Sequence, residues 1–140
     1  MKKLGLVILS SLFVSTAFAA TCKNVSIKVK NNTGHEVRVK KLQFYDDPAG
    51  KWRDEDVKNT YIKNTKSNSF KESLGSVLGR RVTKFKIRYD YRLQDGTMSK
   101  DIWSNSVVPT AKNDDGNLTC KSDRTTYTVD FTKEKFKSKP

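Results

Sequence analysis

Alternation of apolar and polar residues at every second position dominates the chain beyond residue 19. In residues 25–30, for example, Val25, Ile27 and Val29 alternate with serine and lysine. This period is typical of a strand with one buried and one solvated face. No long segment has a convincing helical period, so the intervening helices that parallel βαβ units require are not found.

Turn sequences separate the alternating segments. Residues 31–34 contain two asparagines and a glycine, and residues 94–96 end in the Asp-Gly pair that favours a hairpin. We interpret residues 24–45 as a long hairpin with a bulge near residue 40, and residues 46–56 as a polar loop. Further alternating segments bring the total to about seven or eight strands, which predicts an all-β fold, an antiparallel two-sheet β-sandwich.

The N-terminal residues have the composition of an export signal. Lys2 and Lys3 precede an apolar segment at residues 4–14, and a small-x-small motif follows at residues 17–19. The apolar segment is too short for a good membrane span, so we predict a bacterial-type signal peptide with cleavage after Ala19. The mature protein is then secreted or periplasmic, with no transmembrane span.

These patterns divide the chain into three parts. Residues 1–19 are the signal peptide, and residues 20–132 are the β-sandwich domain. Residues 133–140 are predicted to form a basic flexible tail, because lysines dominate them and apolar side chains are few. We expect the domain to be a monomer that uses neither a cofactor nor a metal ion.

The chain has two cysteines, at opposite ends of the domain. In an oxidising compartment this arrangement predicts a disulfide between Cys22 and Cys120. A lipid-anchored Cys22 is disfavoured because Thr21 precedes it and the small-residue cleavage site lies upstream. A metal site is disfavoured because the single histidine, His35, has no partner at ligand spacing.

The sequence carries 28 lysines and arginines against 15 acidic residues, a formal net charge of +13. If the predicted strands are neighbours in one sheet, their outward lysines and arginines form a cationic face that attracts anionic partners. We assign to this face Lys28, Lys30, Arg38, Lys40, Lys84, Lys86, Arg88 and Arg92. The alternative is a basic surface that only keeps the protein soluble and discourages edge pairing.

Three aromatic residues form a second candidate group. Tyr45 and Trp52 flank the predicted polar loop, and Trp103 precedes a second large loop. Tryptophan beside lysine suits a membrane interface or a sugar platform, and core packing is the alternative. Nucleic acid is not an expected partner, since export removes the usual target and no aromatics are interleaved with the cations on their face.

Residues 25–42 have the sequence VSIKVKNNTGHEVRVKKL. This segment resembles the opening hairpin of aegerolysin-type secreted β-sandwich proteins, some of which bind membrane lipids. The resemblance rests on strand alternation and an Asn/Gly turn. It implies membrane binding and transfers no functional residues.

Catalysis is not predicted, because nothing in the sequence pairs His35 with a nucleophile and the paired acids lie in predicted loops. We predict an exported, non-catalytic binding protein that engages an anionic surface (lipid or lipopolysaccharide) or an acidic protein. The alternative is an exported inhibitor or immunity-type protein that blocks a toxin or hydrolase. An enzyme would need a cleft that brings His35 or two loop carboxylates together.

Overall fold

The computed structural model of the protein describes residues 22–74, 81–112 and 118–137. Within these ranges eight strands form two four-stranded sheets, which confirms the predicted all-β sandwich. The strands are β1 (Val25–Asn32), β2 (Val37–Asp46), β3 (Lys51–Ile62), β4 (Ser67–Glu72), β5 (Val82–Tyr91), β6 (Ile102–Trp103), β7 (Thr110–Lys112) and β8 (Thr126–Thr132). These ranges contain no helix that is long and apolar enough to cross a membrane. The predicted signal peptide lies outside them.

The strands are divided between two sheets that share one core. Sheet A has the order β4-β1-β8-β7, and sheet B has the order β3-β2-β5-β6. The pairings between these strands are antiparallel, apart from that of β1 with β8, which is parallel. The mostly antiparallel pairing agrees with the prediction, and the parallel pair joins the first strand to the last.

The inward side chains of both sheets form the core. Aromatic pairs join β5 to β8 across it: the ring centroids of Phe85 and Tyr127 lie 5.6 Å apart, and those of Tyr89 and Phe131 lie 4.9 Å apart. Tilted contacts at these distances add to the free energy gained by burying large apolar surfaces. The inner positions that alternation predicts in residues 25–30 are buried, namely Val25, Ile27 and Val29, and Ile87 and Tyr91 on β5 are buried as well.

The predicted hairpin over residues 24–45 is wrong. β1 pairs with β4 and β8 in sheet A, whereas β2 pairs with β3 and β5 in sheet B. Residues 33–36 therefore carry the chain from one sheet to the other. The resemblance to an aegerolysin-type opening hairpin relies on the same segment and loses that basis.

A buried asparagine holds this crossing in place. The Asn31 side-chain amide donates hydrogen bonds to the carbonyl oxygens of His35, at 2.8 Å, and Ile62, at 2.7 Å. Its side-chain oxygen accepts hydrogen bonds from the backbone N–H of Thr33, at 3.1 Å, and from the Thr33 hydroxyl, at 2.8 Å. Because every polar group of this fully buried side chain is satisfied, Asn31 ties the crossing to the end of β3.

The polar loop predicted for residues 46–56 is also wrong. β2 continues to Asp46 and β3 begins at Lys51, so residues 47–50 alone form the turn between them. Gly50 has a φ of 62°, a conformation that residues with a Cβ rarely adopt. Trp52 and the acidic residues that follow it therefore project from a strand.

Two finer predictions about β2 and β5 are confirmed. The register of β2 against both its neighbours shifts between Val39 and Lys41, where the bulge is predicted. This offset returns Leu42 to the buried side. The Asp95-Gly96 turn follows β5, and Gly96 has a φ of 84°, as such a turn requires.

The predicted disulfide between Cys22 and Cys120 is confirmed, with the two Cα atoms 6.4 Å apart. Both cysteines are fully buried. Cys22 precedes β1 and Cys120 precedes β8, so the bond joins corresponding ends of the parallel pair. It thereby closes most of the domain into one covalent loop.

The basic tail predicted to begin at residue 133 is packed as far as residue 137. The Phe136 ring lies 5.0 Å from that of His35, 5.4 Å from Tyr89, 4.8 Å from Tyr91 and 6.2 Å from Phe131, measured between centroids. The Tyr89 hydroxyl accepts a hydrogen bond from the Lys137 backbone N–H, at 2.7 Å. One aromatic side chain thus anchors a lysine-rich segment whose composition alone suggests no packing. Residues 138–140 lie outside the described residues.

Candidate binding faces

The structure divides the eight predicted cationic residues between two surfaces. Lys28 and Lys30 project outward from β1 in sheet A. The others project outward from sheet B and its margin: Arg38, Lys40, Lys84, Lys86, Arg88 and Arg92. Because the sheets pack through their inner sides, the two groups lie on opposite surfaces of the sandwich. The expected single cationic face is therefore corrected to two separate faces.

Two acidic side chains offset most of the positive charge at the centre of the sheet B face. Arg38 on β2 and Asp90 on β5 are cross-strand partners, and their side chains form a two-pronged ion pair with Nε 2.9 Å from Oδ1. Lys40 Nζ lies 3.0 Å from Asp90 Oδ2 and also contacts Asp101. Arg88 lies 3.1 Å from the same Asp101 carboxylate. All three cations belong to one ion-pair network within the protein.

Burial and hydrogen bonding set the charge state of this network. The Asp90 side chain is 2% exposed, and burial by itself would raise the pKa of its carboxyl. Hydrogen bonds from Arg38 and Lys40 outweigh burial and hold the Asp90 pKa below its usual value. Asp90 is therefore ionised at neutral pH. The hydrogen bond to Asp101 likewise raises the pKa of Lys40.

Two more cations of sheet B are paired with carboxylates. Arg92 Nε lies 2.6 Å from Glu36 Oε2. Lys41, which was left out of the predicted site, lies 2.9 Å from Asp56 Oδ1. Exposed pairs of this kind contribute little to stability, but they reduce the positive charge that an anionic partner meets.

Lys84 and Lys86 lie at one end of the sheet B face and differ from its other cations. Among the described residues, neither has a carboxylate within ion-pair distance. Lys84 Nζ lies 5.4 Å from the ring centroid of Tyr45, and Lys86 Nζ lies 4.4 Å from that of Trp52. The two rings also contact each other, with centroids 5.3 Å apart. We call these four residues the cation–aromatic patch.

Three paired strands create this patch. Tyr45 on β2 is the cross-strand partner of Trp52 on β3, so the two rings lie side by side on the outer surface. Lys84 and Lys86 alternate with buried Phe85 on β5, which pairs with the other side of β2. Both aromatic residues are partly exposed and belong to strands, not to a loop. The expectation that no aromatic residue shares a face with the cations is wrong.

Two further aromatic residues lie on the sheet B face. Trp103 on β6 pairs with Arg88, at the opposite edge of the sheet from β3, so it is not part of the patch. Tyr61 on β3 is 49% exposed, and the Arg38 guanidinium lies 5.4 Å from its ring centroid. Tyr61 is absent from the predicted site because its contact with Arg38 depends on the register between β2 and β3.

The residues considered for catalysis and metal binding are dispersed. No group of three or more His, Cys, Asp or Glu side chains is arranged to hold a metal ion in the part of the chain that the structure describes. His35 is exposed, and its ring stacks on that of Phe136. The acids of residues 54–56, predicted to lie in a loop, belong to β3.

A pair of carboxyl groups at the edge between the sheets was not predicted. Glu55 on β3 is the cross-strand partner of buried Leu42, which directs it toward the interior, and Glu72 on β4 lies nearby. Burial, followed by the charges of Glu72, Asp56 and Asp54, raises the pKa of Glu55 to about 7. Burial also raises the pKa of Glu72. Burial and the neighbouring carboxylates are sufficient to explain both raised pKa values.

The raised pKa of Glu55 predicts a pH-dependent stability. The native state binds this proton more tightly than the unfolded chain, whose pKa is near 4.5, so the stabilisation is complete below that pH and is lost as pH rises through about 7. At about 1.4 kcal/mol per pKa unit, reduced for partial solvation, the loss is about 2 kcal/mol. We expect Glu55→Gln to raise the free energy of unfolding by about 2 kcal/mol at pH 8 and to change it little at pH 4.

Urea unfolding of both proteins between pH 4 and pH 8 measures this difference. Glu134→Gln is the matched control, because it removes one exposed carboxylate from the turn after β8. Parallel stability profiles for the native protein and Glu55→Gln across this pH range would contradict the prediction.

Comparisons of the chain with protein-family models, with curated proteins and with solved structures give no match. The geometry of the two faces is therefore the basis for assigning a function.

Proposed function

We propose that the protein is an exported, non-catalytic binding protein that attaches to an anionic lipid surface through the cation–aromatic patch. One observation carries the proposal: two lysines that have no carboxylate partner among the described residues lie beside two adjoining aromatic rings on one outer surface. Lysine ammonium groups attract phosphate-bearing head groups. Tyrosine and tryptophan rings suit the interfacial layer because they combine an apolar body with a polar group.

The charge distribution favours the patch over the rest of the sheet B face. Arg38, Lys40 and Arg88 are held by Asp90 and Asp101, so a phosphate group would have to compete with carboxylates already in place. Lys84 and Lys86 contact aromatic rings, and an ammonium group over a ring still has protons free to donate to a phosphate. Within the sheet B face, an anionic head group therefore gains most free energy at the patch.

The compartment also supports a lipid partner. A disulfide between two buried cysteines is typical of proteins in oxidising compartments. With the predicted signal peptide, it is compatible with export to a location where phospholipid or lipopolysaccharide surfaces are exposed. Both lipids carry phosphate groups, the chemistry that the two lysines would recognise.

Vesicle co-sedimentation tests the proposal. We expect the protein to bind vesicles containing phosphatidylglycerol at low salt, to bind phosphatidylcholine vesicles far less, and to dissociate as salt screens the attraction. The double variant Lys84→Gln, Lys86→Gln should bind about 10- to 30-fold more weakly, since each lysine near an anionic surface contributes about 1 kcal/mol.

Lys28→Gln, Lys30→Gln is the matched control, because it removes the same charge from the opposite surface. It should retain vesicle affinity within about twofold. Equal losses from the two double variants would show a simple effect of net charge and would contradict a localised lipid site.

Tryptophan fluorescence locates the contact independently. The chain has two tryptophans, so Trp103→Phe leaves Trp52 as the only indole. Its emission should shift to shorter wavelength when anionic vesicles are added, because the ring leaves water for the interface. An unchanged spectrum in the presence of bound vesicles would place the contact elsewhere.

The alternative function, an exported inhibitor or immunity-type protein, predicts a different experimental result. Such a protein should form a stoichiometric complex with one protein partner, with little dependence on lipid. Recovery of that complex together with failure to bind anionic vesicles would replace the lipid proposal.

A further inference from the structure

The outer surface of sheet A differs in chemistry from that of sheet B. Its outward strand positions are identified by alternation with the buried residues and by the strand register. They are Ser26, Lys28, Lys30, Asn32, Ser67, Ser69, Lys71, Thr110, Lys112, Thr126, Thr128, Asp130 and Thr132. None of these side chains is apolar or aromatic. We call this surface the lysine–hydroxyl face.

The lysines of this face keep their charge available. Lys28, Lys30, Lys71 and Lys112 are all exposed, and none forms an ion pair within the described ranges. Asp130 is the one acidic side chain among the outward positions, and the Asn32 side-chain amide donates a hydrogen bond to it at 2.7 Å. The lysine–hydroxyl face thus carries unpaired positive charge, whereas the cations at the centre of sheet B are paired with carboxylates.

The strand register arranges these side chains in rows across the sheet. Lys71, Ser26, Thr126 and Lys112 form one row, from β4 to β7. Ser69, Lys28, Thr128 and Thr110 form the next row. Neighbouring strands lie about 4.8 Å apart, so a row spans about 14 Å, and successive rows on one face are about 7 Å apart. The first row therefore has a positive charge at each end, on Lys71 and Lys112. The second row has one at an inner position, on Lys28, and hydroxyl groups occupy the remaining positions of both rows.

We propose that the lysine–hydroxyl face binds an acidic polysaccharide, a chain of sugars that carries carboxylate groups. The lysines match the repeated negative charges, and the serine and threonine hydroxyls can exchange hydrogen bonds with sugar hydroxyls and carboxylate oxygens. A row of side chains across four strands suits an extended chain ligand. This site is independent of the lipid site, which lies on the opposite surface.

The chemistry of the face argues against other occupants. All outward side chains of this face are hydrophilic, so their insertion into the interfacial layer of a lipid bilayer would gain no hydrophobic free energy. A neutral sugar would gain no electrostatic attraction from the lysines and would find no aromatic ring on which to stack. A single-stranded nucleic acid would find phosphate contacts but no ring for base stacking.

Affinity electrophoresis in gels containing polygalacturonate tests the proposal, with neutral dextran gels as reference. We expect the full chain to be retarded by polygalacturonate, more strongly at 50 mM than at 500 mM salt, and not by dextran. Lys28→Gln, Lys30→Gln should weaken this binding at least about fivefold. Lys84→Gln, Lys86→Gln, which has the same net charge, should stay within about twofold of the native protein.

Three results would overturn the proposal: no retardation by polygalacturonate, equal weakening by both double variants, or equally strong retardation by single-stranded DNA of the same charge. Far-ultraviolet circular dichroism confirms that each variant is folded before its mobility is compared. Because the lipid proposal depends on the other lysine pair and is measured with vesicles, either proposal can fail while the other stands.

Discussion

Replacing Cys22 and Cys120 together by alanine is expected to lower the free energy of unfolding by about 4–5 kcal/mol. The two cysteines are 98 residues apart in sequence, so the bond restricts nearly the whole unfolded domain. In the chain-entropy description, the conformational entropy removed from the unfolded state grows with the length of the closed loop. Small domains typically have about 5–15 kcal/mol of stability, so this loss is a large fraction of the total.

Alanine is the informative replacement because both cysteines are fully buried, and a serine hydroxyl there would add a desolvation cost of its own. Urea unfolding followed by circular dichroism measures the change. The native protein with its disulfide reduced is the control and should lose a similar amount. A loss below about 1 kcal/mol in both would contradict the dominant role of loop closure.

Replacing Phe136 by alanine is expected to lower the free energy of unfolding by about 2–3 kcal/mol. The Phe136 ring contacts four rings from three parts of the chain: His35 before β2, Tyr89 and Tyr91 on β5, and Phe131 on β8. Removing a fully buried phenylalanine costs about 3–5 kcal/mol, and the partial exposure of this ring reduces the cost. The effect is large for a residue in a segment whose composition suggests a flexible tail.

Lys137→Ala is the matched control, because that side chain is exposed while its backbone bonds the Tyr89 hydroxyl. It should change stability by less than about 0.5 kcal/mol. Chemical denaturation of both variants under identical conditions separates aromatic packing from tail charge. A Phe136→Ala variant as stable as the native protein would show that this segment does not contribute to the core.

The core could be predicted to a large extent from alternation, while strand pairing could not. Val25 and Ile27 on β1, like Leu42 and Phe44 on β2, face inward as their spacing indicates. The segment between β1 and β2 predicts a hairpin because it contains the usual turn residues. Asn31 instead anchors a crossing between sheets, through hydrogen bonds to His35 and to Ile62, which is 31 residues away. The sequence around Asn31 gives no indication of its contact with Ile62.

The candidate sites, like the fold, could be predicted from the sequence only in part. Outward lysines and arginines were identified correctly as outward, but their electrostatic state depends on neighbours from other strands. Asp90 neutralises Arg38 because the two are cross-strand partners, whereas Lys84 meets an aromatic ring. The sequence predicts Trp52 in a loop because the charged residues around it obscure the strand period. Its contact with Tyr45 follows from the register of β2 with β3.

The sequence by itself determined which side chains face inward, where the tight Asp95-Gly96 turn lies and which cysteines pair, since backbone sterics, alternation and the presence of only two thiols decide these features. The tertiary structure alone decided which strands became neighbours and therefore which charges are neutralised. The physical reason is that both sheets offer the same apolar interior to an alternating strand, so burial is equally satisfied in either sheet. Hydrogen bonds, ion pairs and ring contacts between distant residues then select one arrangement.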